Sequence, residues 1–181
     1  MVASGLQYPF QRFQRANMGL DISAYRQVTK MNPSELEPDS DGYSINGDVT
    51  RMHDFQNENF PRQGEGLDLA SYYDCGTEYF GFRAGSYSGY NQWRSELAQM
   101  AGVNESALGP SDTCAFAELI YFSDCEGFIG PVVSAKLAND FAAFAQKAED
   151  FSSNRPYFLE LYNNFRYAFE MAKDDGMVHF H

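Results

Sequence analysis

One segment of the chain reads Phe116-Ala-Glu-Leu-Ile-Tyr-Phe122, Ser123-Asp-Cys-Glu-Gly127 and Phe128-Ile-Gly-Pro131, and a helical pattern follows it to residue 151. An apolar run, a polar turn and a helical pattern in this order predict a strand or short helix, a turn and a helix. Turns that a rigid scaffold holds in place often carry binding or catalytic residues. We therefore expect the turn at residues 123–127 to form part of the functional site.

A second segment has the same layout. Glu78-Tyr-Phe-Gly-Phe-Arg83 predicts a strand, Ala84-Gly-Ser-Tyr-Ser-Gly89 predicts a turn, and a helix is expected from Tyr90 with Ser88 as its N-cap. We expect the two turns to lie close together, so that Arg83 faces Asp124 across a shared hollow.

The remaining periodic segments complete the fold prediction. Residues 19–30 alternate like a half-buried strand, residues 131–151 and 156–173 carry apolar stripes at helical spacing, and residues 177–181 alternate again. The order of elements predicts an α+β domain: a single sheet of about four to six strands, with three main helices packed largely on one face.

Composition divides the chain into regions. Residues 1–17 show no clear period and are interpreted as an N-terminal extension, so the domain is expected to span residues 18–181. Residues 31–75 hold ten Asp or Glu against Arg51 and Arg62, a net charge of −8 out of the total of −12. This stretch is interpreted as a solvated irregular insertion, and the alternative is an acidic, DNA-mimicking interaction surface.

The overall charge restricts the classes of function. A net charge of −12 and a pI near 4.5 argue against general nucleic-acid binding, which needs a basic face. This charge does not exclude the binding of a small anionic ligand by one or two Arg residues. The sequence has no apolar run of eighteen residues, so we expect no membrane association and a soluble, cytoplasmic protein.

Three blocks of the sequence resemble an uncharacterised family of bacterial and phage proteins. They are Met18-Gly-Leu-Asp-Ile22, then Gly81-Phe-Arg-Ala-Gly-Ser-Tyr-Ser-Gly-Tyr90 with Trp93-Arg94, and Ser123-Asp-Cys-Glu-Gly127 with Ile129-Gly-Pro-Val-Val-Ser-Ala-Lys-Leu137. The resemblance covers roughly residues 18–181. It implies an association with phages and mobile elements, and hence an accessory or counter-defence role, but no particular activity.

The two turns together predict a site for a small anionic, nucleotide-like ligand. Arginines would pair with its charge, backbone amides and hydroxyls at the helix start would hold an anion, and a tyrosine would stack on a base. The candidate residues are Arg83, Ser86, Tyr87, Ser88, Tyr90, Asn91, Arg94, Ser123, Asp124, Glu126 and Lys136. The segment is neither a P-loop nor a GxGxxG turn, and a capped glycine turn would explain its residues equally well.

The alternative chemistry is a divalent metal site in a hydrolase. Asp124 and Glu126 would join His179 and His181, since two His at positions i and i+2 of a strand face the same side. Carboxylate and imidazole ligands suit Zn, Mn or Fe. Ser123 and Glu126 also have capping-box spacing, which would explain them without a ligand. Cys125 is either a nucleophile with His179 or His53 as its base, or a buried thiol.

Three functions therefore remain in view. They are an accessory protein that binds a small anion, a metal-dependent hydrolase, and an acidic module that captures another protein. The aromatic stripes of the two C-terminal helices are interpreted as core. A homo-oligomer is the alternative, in which part of one stripe would pack against a second copy.

Overall fold

The computed structural model describes most of the chain. It covers residues 19–32, 34, 49–51, 60, 62–68, 70–122 and 127–181. The extension 1–17, most of the acidic insertion including His53, and the turn residues Ser123, Asp124, Cys125 and Glu126 lie outside these ranges.

The described strands form two antiparallel sheets. The strands are β1 Leu20–Tyr25, β2 Thr29–Lys30, β3 Val49–Arg51, β4 Tyr72–Asp74, β5 Tyr79–Gly85, β6 Gly127–Ile129 and β7 Met177–Phe180. The main sheet has the order β5-β1-β7-β6, and the smaller sheet has the order β2-β4-β3. The α+β class is confirmed, with the strands divided between two sheets.

The segment predicted as one strand at residues 19–30 bends in its middle. Gln27 has a φ of 56°, in the left-handed region that ends a regular strand. As a result β1 pairs within the main sheet, whereas β2 pairs with β4 in the smaller one.

The helices begin and end close to the expected signals. They are α1 Tyr87–Ala101, a 3₁₀ turn Glu105–Ala107, α2 Ala117–Tyr121, α3 Pro131–Ala143, α4 Ala145–Phe151 and α5 Pro156–Ala172. The N-cap of α1 is Ser86 and not Ser88, because the Ser86 hydroxyl accepts from the Gly89 amide at 3.1 Å. Gly102 closes α1 in the left-handed conformation, as its position after the apolar stripe predicts.

Aromatic rings fill the core between the helices and the main sheet. The Phe165 ring on α5 lies 4.7 Å from the Trp93 ring of α1, 5.0 Å from the Phe82 ring of β5 and 6.1 Å from the Phe180 ring of β7, measured between centroids. Burying one such side chain contributes roughly 1.5–3 kcal/mol. The C-terminal aromatic stripe is therefore core.

A smaller apolar cluster lies on the other face of the main sheet. Phe128 of β6 and Met177 of β7 pack there with Tyr73 and Cys75 from the smaller sheet. The smaller sheet thus covers one end of that face. No helix among the described residues is long and apolar enough to cross a membrane.

Gly176, in the connection from α5 to β7, has no room for even one methyl group. A Cβ at Gly176 would collide with the Tyr25 carbonyl oxygen of β1 and with the Ala172 backbone of α5. Gly176→Ala should lower the free energy of unfolding by about 2–3 kcal/mol, measured by urea denaturation.

Gly109→Ala is the matched control. Its Cβ would meet nothing closer than a carboxylate oxygen of Asp112 at 3.8 Å, so a change within about 0.5 kcal/mol is expected. Equal stability of the two variants would show that the close approach at Gly176 is wrong.

Candidate functional site

The turn before α1 places its hydroxyls in a local network. Ser86 Oγ lies 3.1 Å from Ser88 Oγ and caps the helix through the Gly89 amide. Tyr87 is about half exposed and α1 has no acidic residue in its first turn. The cap accounts for Ser86 without a ligand, as the glycine-turn interpretation predicts.

Two residues expected in this site lie in the core instead. Tyr90 is only 2% exposed, its ring stacks on Trp93, and burial raises the pKa of its hydroxyl. Arg94 is 4% exposed, and its guanidinium donates to the Ile120 carbonyl and to Asn91 Oδ1. The stacking role of Tyr90 and the anion-binding role of Arg94 are therefore corrected: Arg94 joins α1 to α2, and the Tyr90 hydroxyl donates to the Phe122 carbonyl just after α2.

Lys136 is also engaged within the protein. Its ammonium lies 2.6 Å from Glu118 Oε2, 2.8 Å from Asp140 Oδ2 and 2.6 Å from the Cys114 carbonyl. Three partners use all three N–H donors of a lysine. The predicted ligand contact is therefore corrected to an ion pair that joins α3 to α2.

Glu118 is the centre of this ionic cluster. Its side chain is 3% exposed, and Arg62 approaches the second carboxylate oxygen at 3.4 Å. The side-chain amide of Gln63, next to Arg62, donates to the backbone carbonyl of Glu118. The backbone carbonyl of Gln63 accepts from the Gly130 amide at 2.6 Å. The cluster thereby holds the segment 62–68 against the start of α3.

The described residues separate Arg83 from Gly127, but the hydroxyl of Tyr90, just after the turn 84–89, donates to the carbonyl of Phe122, just before the turn 123–126, at 3.5 Å. Arg83 lies on β5 at one edge of the main sheet, whereas Gly127, which follows the turn 123–126, lies on β6 at the other edge. Three inter-strand spacings separate these edges, roughly 14 Å. The turn itself is outside the described residues, so the roles of Ser123, Asp124 and Glu126 stay predictions.

Arg83 stands instead among polar side chains on the face of the main sheet opposite the helices, here called the outer face. Strand pairing arranges this face in rows, since directly paired residues point to the same side. Across β5, β1 and β7, the first row is Arg83, Asp21 and His181, and the second is Gly81, Ser23 and His179, extended by Phe128 of β6. A third row is Tyr79, Tyr25 and Met177.

The first two rows are linked by side-chain contacts. Ser23 Oγ lies 3.0 Å from His181 Nε2. The His179 ring is stacked between the Phe128 ring at 4.2 Å and the His181 ring at 4.6 Å. The face thus carries a stack of three rings beside a hydroxyl, and this stack runs from the buried Phe128 to the exposed His181.

Arg83 is held over this face by a solvent-exposed ion pair. Its guanidinium lies 3.3 Å from Asp21 Oδ2, and both side chains are more than 40% exposed. The Arg83 guanidinium lies against Gly19, and a Cβ at this position would collide with it. An exposed pair contributes only about 0–1 kcal/mol, so Asp21 would compete weakly with an anionic ligand.

The rings of the two His residues lie side by side, while the metal site itself stays a prediction. His179 of β7 and His181, which directly follows this strand, lie on the same side of the sheet, and β7 lies beside β6. Within the described ranges, however, no group of three or more His, Cys, Asp or Glu side chains is placed to hold a metal ion.

Asp21 and Ser23 were missed by sequence reasoning. The alternation of residues 19–30 places both on one face of a strand, which was the available signal. Asp21 and Ser23 lie beside Arg83 and the His residues only because β1 lies between β5 and β7. The alternation within one strand does not predict the order of strands in a sheet.

A cleft of the described structure lies elsewhere. It encloses about 370 Å³ between the smaller sheet, the segment 62–68 and the start of α3, and Lys30 and Asp68 form an ion pair at 2.8 Å in its wall. None of the residues predicted to bind a ligand lines it.

Comparison with known protein families, curated proteins and solved structures finds no match. The resemblance of the three sequence blocks to bacterial and phage proteins therefore stays a prediction, and the function has to be argued from the site.

The ionic cluster predicts that Lys136 serves stability. Lys136→Met keeps the aliphatic chain but leaves the buried Glu118 carboxylate with Arg62 alone. We expect urea denaturation to show a loss of about 2 kcal/mol, less than for a fully buried pair because Lys136 retains some contact with water.

Lys147→Met is the control, since Lys147 is an exposed residue of α4 and its loss should cost no more than about 0.5 kcal/mol. If Lys136→Met were as stable as the wild type, the assignment of Lys136 to the cluster would fail.

Proposed function

We propose that the protein binds a small anionic, nucleotide-like ligand on the outer face of the main sheet. The observation that carries the proposal is the convergence of Arg83, Ser23 and His181 in two adjacent rows of this face. They supply a guanidinium, a hydroxyl and an imidazole, the groups that proteins use to bind phosphate and carboxylate oxygens.

Charge makes Arg83 the central residue of this proposal. The protein has a net charge of −12, so an anion that approaches it needs a local cation. A guanidinium offers paired N–H donors that match two oxygens of a phosphate. The weak Asp21 pair would be exchanged for the ligand.

The stack of three rings favours a ligand with a flat part. The rings of Phe128, His179 and His181 lie nearly parallel, with angles of 14° and 30° between neighbours. A base that continues this stack would gain dispersion and desolvation energy beside the bound anion. A nucleotide combines these two parts in one molecule.

The biological setting of the proposal rests on the sequence blocks alone. Because those blocks resemble proteins of phages and bacteria, we propose that the binding serves a mobile element, as a counter-defence or other accessory activity.

The proposal predicts a specific effect of Arg83. Nucleoside phosphates should raise the melting temperature of the wild type more than the parent nucleosides do, because only the phosphates engage the guanidinium. Arg83→Ala should weaken binding by at least about tenfold in calorimetric titration, the effect of losing a charge-assisted hydrogen bond.

Arg166→Ala, an exposed arginine on helix α5, is the matched control and should bind like the wild type. Inorganic phosphate, tested alongside, separates recognition of the anion from recognition of the base. A panel that shifts no melting temperature, or an Arg83→Ala variant with unaltered affinity, would rule the proposal out.

A second candidate is the metal-dependent hydrolase that uses Asp124, Glu126, His179 and His181. It is favoured by the stacked pair of His179 on β7 and His181 directly after it, and by β6, which pairs with β7 and begins at Gly127 directly after Glu126.

For this candidate, Zn²⁺ or Mn²⁺ should raise the melting temperature of the wild type. His181→Ala should abolish the shift because it removes an exposed ligand. Ser23→Ala, which removes a neighbour of His181 but no ligand, should keep it. Metal-independent melting of the wild type would exclude this function.

A further inference from the structure

Strand β5 is an edge strand of the main sheet. Among the strands that the structure describes, it pairs with β1 on one side only. It is also long, with the seven residues Tyr79-Phe-Gly-Phe-Arg-Ala-Gly85. Proline, lysine and inward charges, which protect many edge strands from pairing, are absent from this sequence.

The backbone of β5 directs hydrogen-bonding groups outward at every second residue. Asp21 exchanges both backbone bonds with His181 of β7, so Ile22 and Ala24 direct theirs to β5. Their partners on β5 are Phe82 and Phe80. The N–H and C=O groups of Tyr79, Gly81 and Arg83 therefore point away from β1, toward the outer edge.

Exposed aromatic side chains lie along this edge. Tyr79 is 67% exposed on the strand itself. From α5, the exposed Tyr167 contacts the Phe80 ring at 4.7 Å, and the exposed Tyr157 donates to the Ala84 carbonyl at 2.7 Å. These three account for most of the large exposed apolar side chains of the described structure.

We propose that β5 pairs antiparallel with β5 of a second copy of this chain, around a two-fold axis at Gly81. In this register the outward groups of Gly81 meet those of Gly81 in the second copy, and those of Tyr79 meet those of Arg83. Both facing pairs then have the geometry of hydrogen-bonded antiparallel pairs. The main sheets of the two copies join into one continuous sheet.

Side chains fit the same register. On the outer face, the ring of Tyr79 lies beside the guanidinium of Arg83 from the second copy, which is a favourable cation–π arrangement. On the helix face, Phe80 lies opposite Phe82 in a pair without backbone bonds, where side chains approach most closely. Gly81 at the axis leaves no side chain to clash.

The pairing also adds a wall to the proposed ligand site, a consequence that rests on the proposed function. Tyr79 of the same chain is four residues from Arg83 along the strand, roughly 13 Å away. Tyr79 of the second copy is a direct cross-strand neighbour, with backbones about 5.5 Å apart. An aromatic ring then stands on the side of Arg83 that faces away from the His pair.

The test is the oligomeric state of the full chain by sedimentation velocity over a concentration series up to roughly 1 mM. One strand pair with flanking tyrosines is a small interface, so a concentration-dependent monomer–dimer equilibrium is expected. No ligand is needed, so this readout is independent of the proposed function.

Two opposite substitutions at one exposed position test the register. Tyr79→Arg places like charges at both symmetry-related contacts with Arg83 and should raise the dissociation constant about tenfold or more. Tyr79→Glu creates two opposite-charge contacts and should leave the dimer as tight or tighter. A general charge effect predicts the reverse order, since Arg reduces and Glu increases the net charge of −12.

The outcomes separate cleanly. A dimer weakened by Tyr79→Arg and kept by Tyr79→Glu supports the pairing. A chain that stays monomeric throughout the series, or a dimer that responds to the two variants equally or in the reverse order, overturns it. Circular dichroism of both variants should match the wild type, because the side chain at position 79 is exposed.

Discussion

The pairing of β7 between β1 and β6 is the constraint on which the rest of the fold depends. Residues 177–180 complete the centre of the main sheet, and three of the four residues of the strand are buried. Val178 and Phe180 enter the aromatic core, while Met177 enters the smaller cluster. Because β1 and β7 are separated by most of the chain, their pairing carries a loop-closure cost, and the burial of Val178 and Phe180 against the helices between them offsets it.

Two different kinds of interaction then support the two sides of this sheet. The helix side depends on ring packing, with Phe165 in contact with rings of α1, β5 and β7. The segment 62–68 depends on the charges around Glu118, which are buried enough that their loss would leave an uncompensated carboxylate. Neither the ring packing nor the ionic cluster covers Asp21, Ser23 and His181 in the first two rows of the outer face. These residues stay accessible for binding.

The sequence was informative where one local signal decides the structure. Gly102 and Pro131 marked helix ends correctly because backbone conformation alone favours glycine or proline there. It was misleading where the same residue type suits two environments. The helical spacing of Tyr90 was compatible with core and with a site, and the charge of Lys136 suited a ligand as well as Glu118. Burial decided both, and burial depends on which elements become neighbours.

A flat sheet face limits how tightly it can hold a small molecule. Binding sites usually enclose most of the ligand surface, whereas the rows containing Arg83, Ser23 and His181 would contact the proposed ligand from one side only. Charge and stacking from one side would leave the rest of the ligand hydrated, so affinity depends on a second wall. The edge strand β5 carries Arg83 and directs the backbone groups of every second residue outward, so a second copy would supply that wall without any change in the fold. The same strand then determines both self-association and the depth of the site.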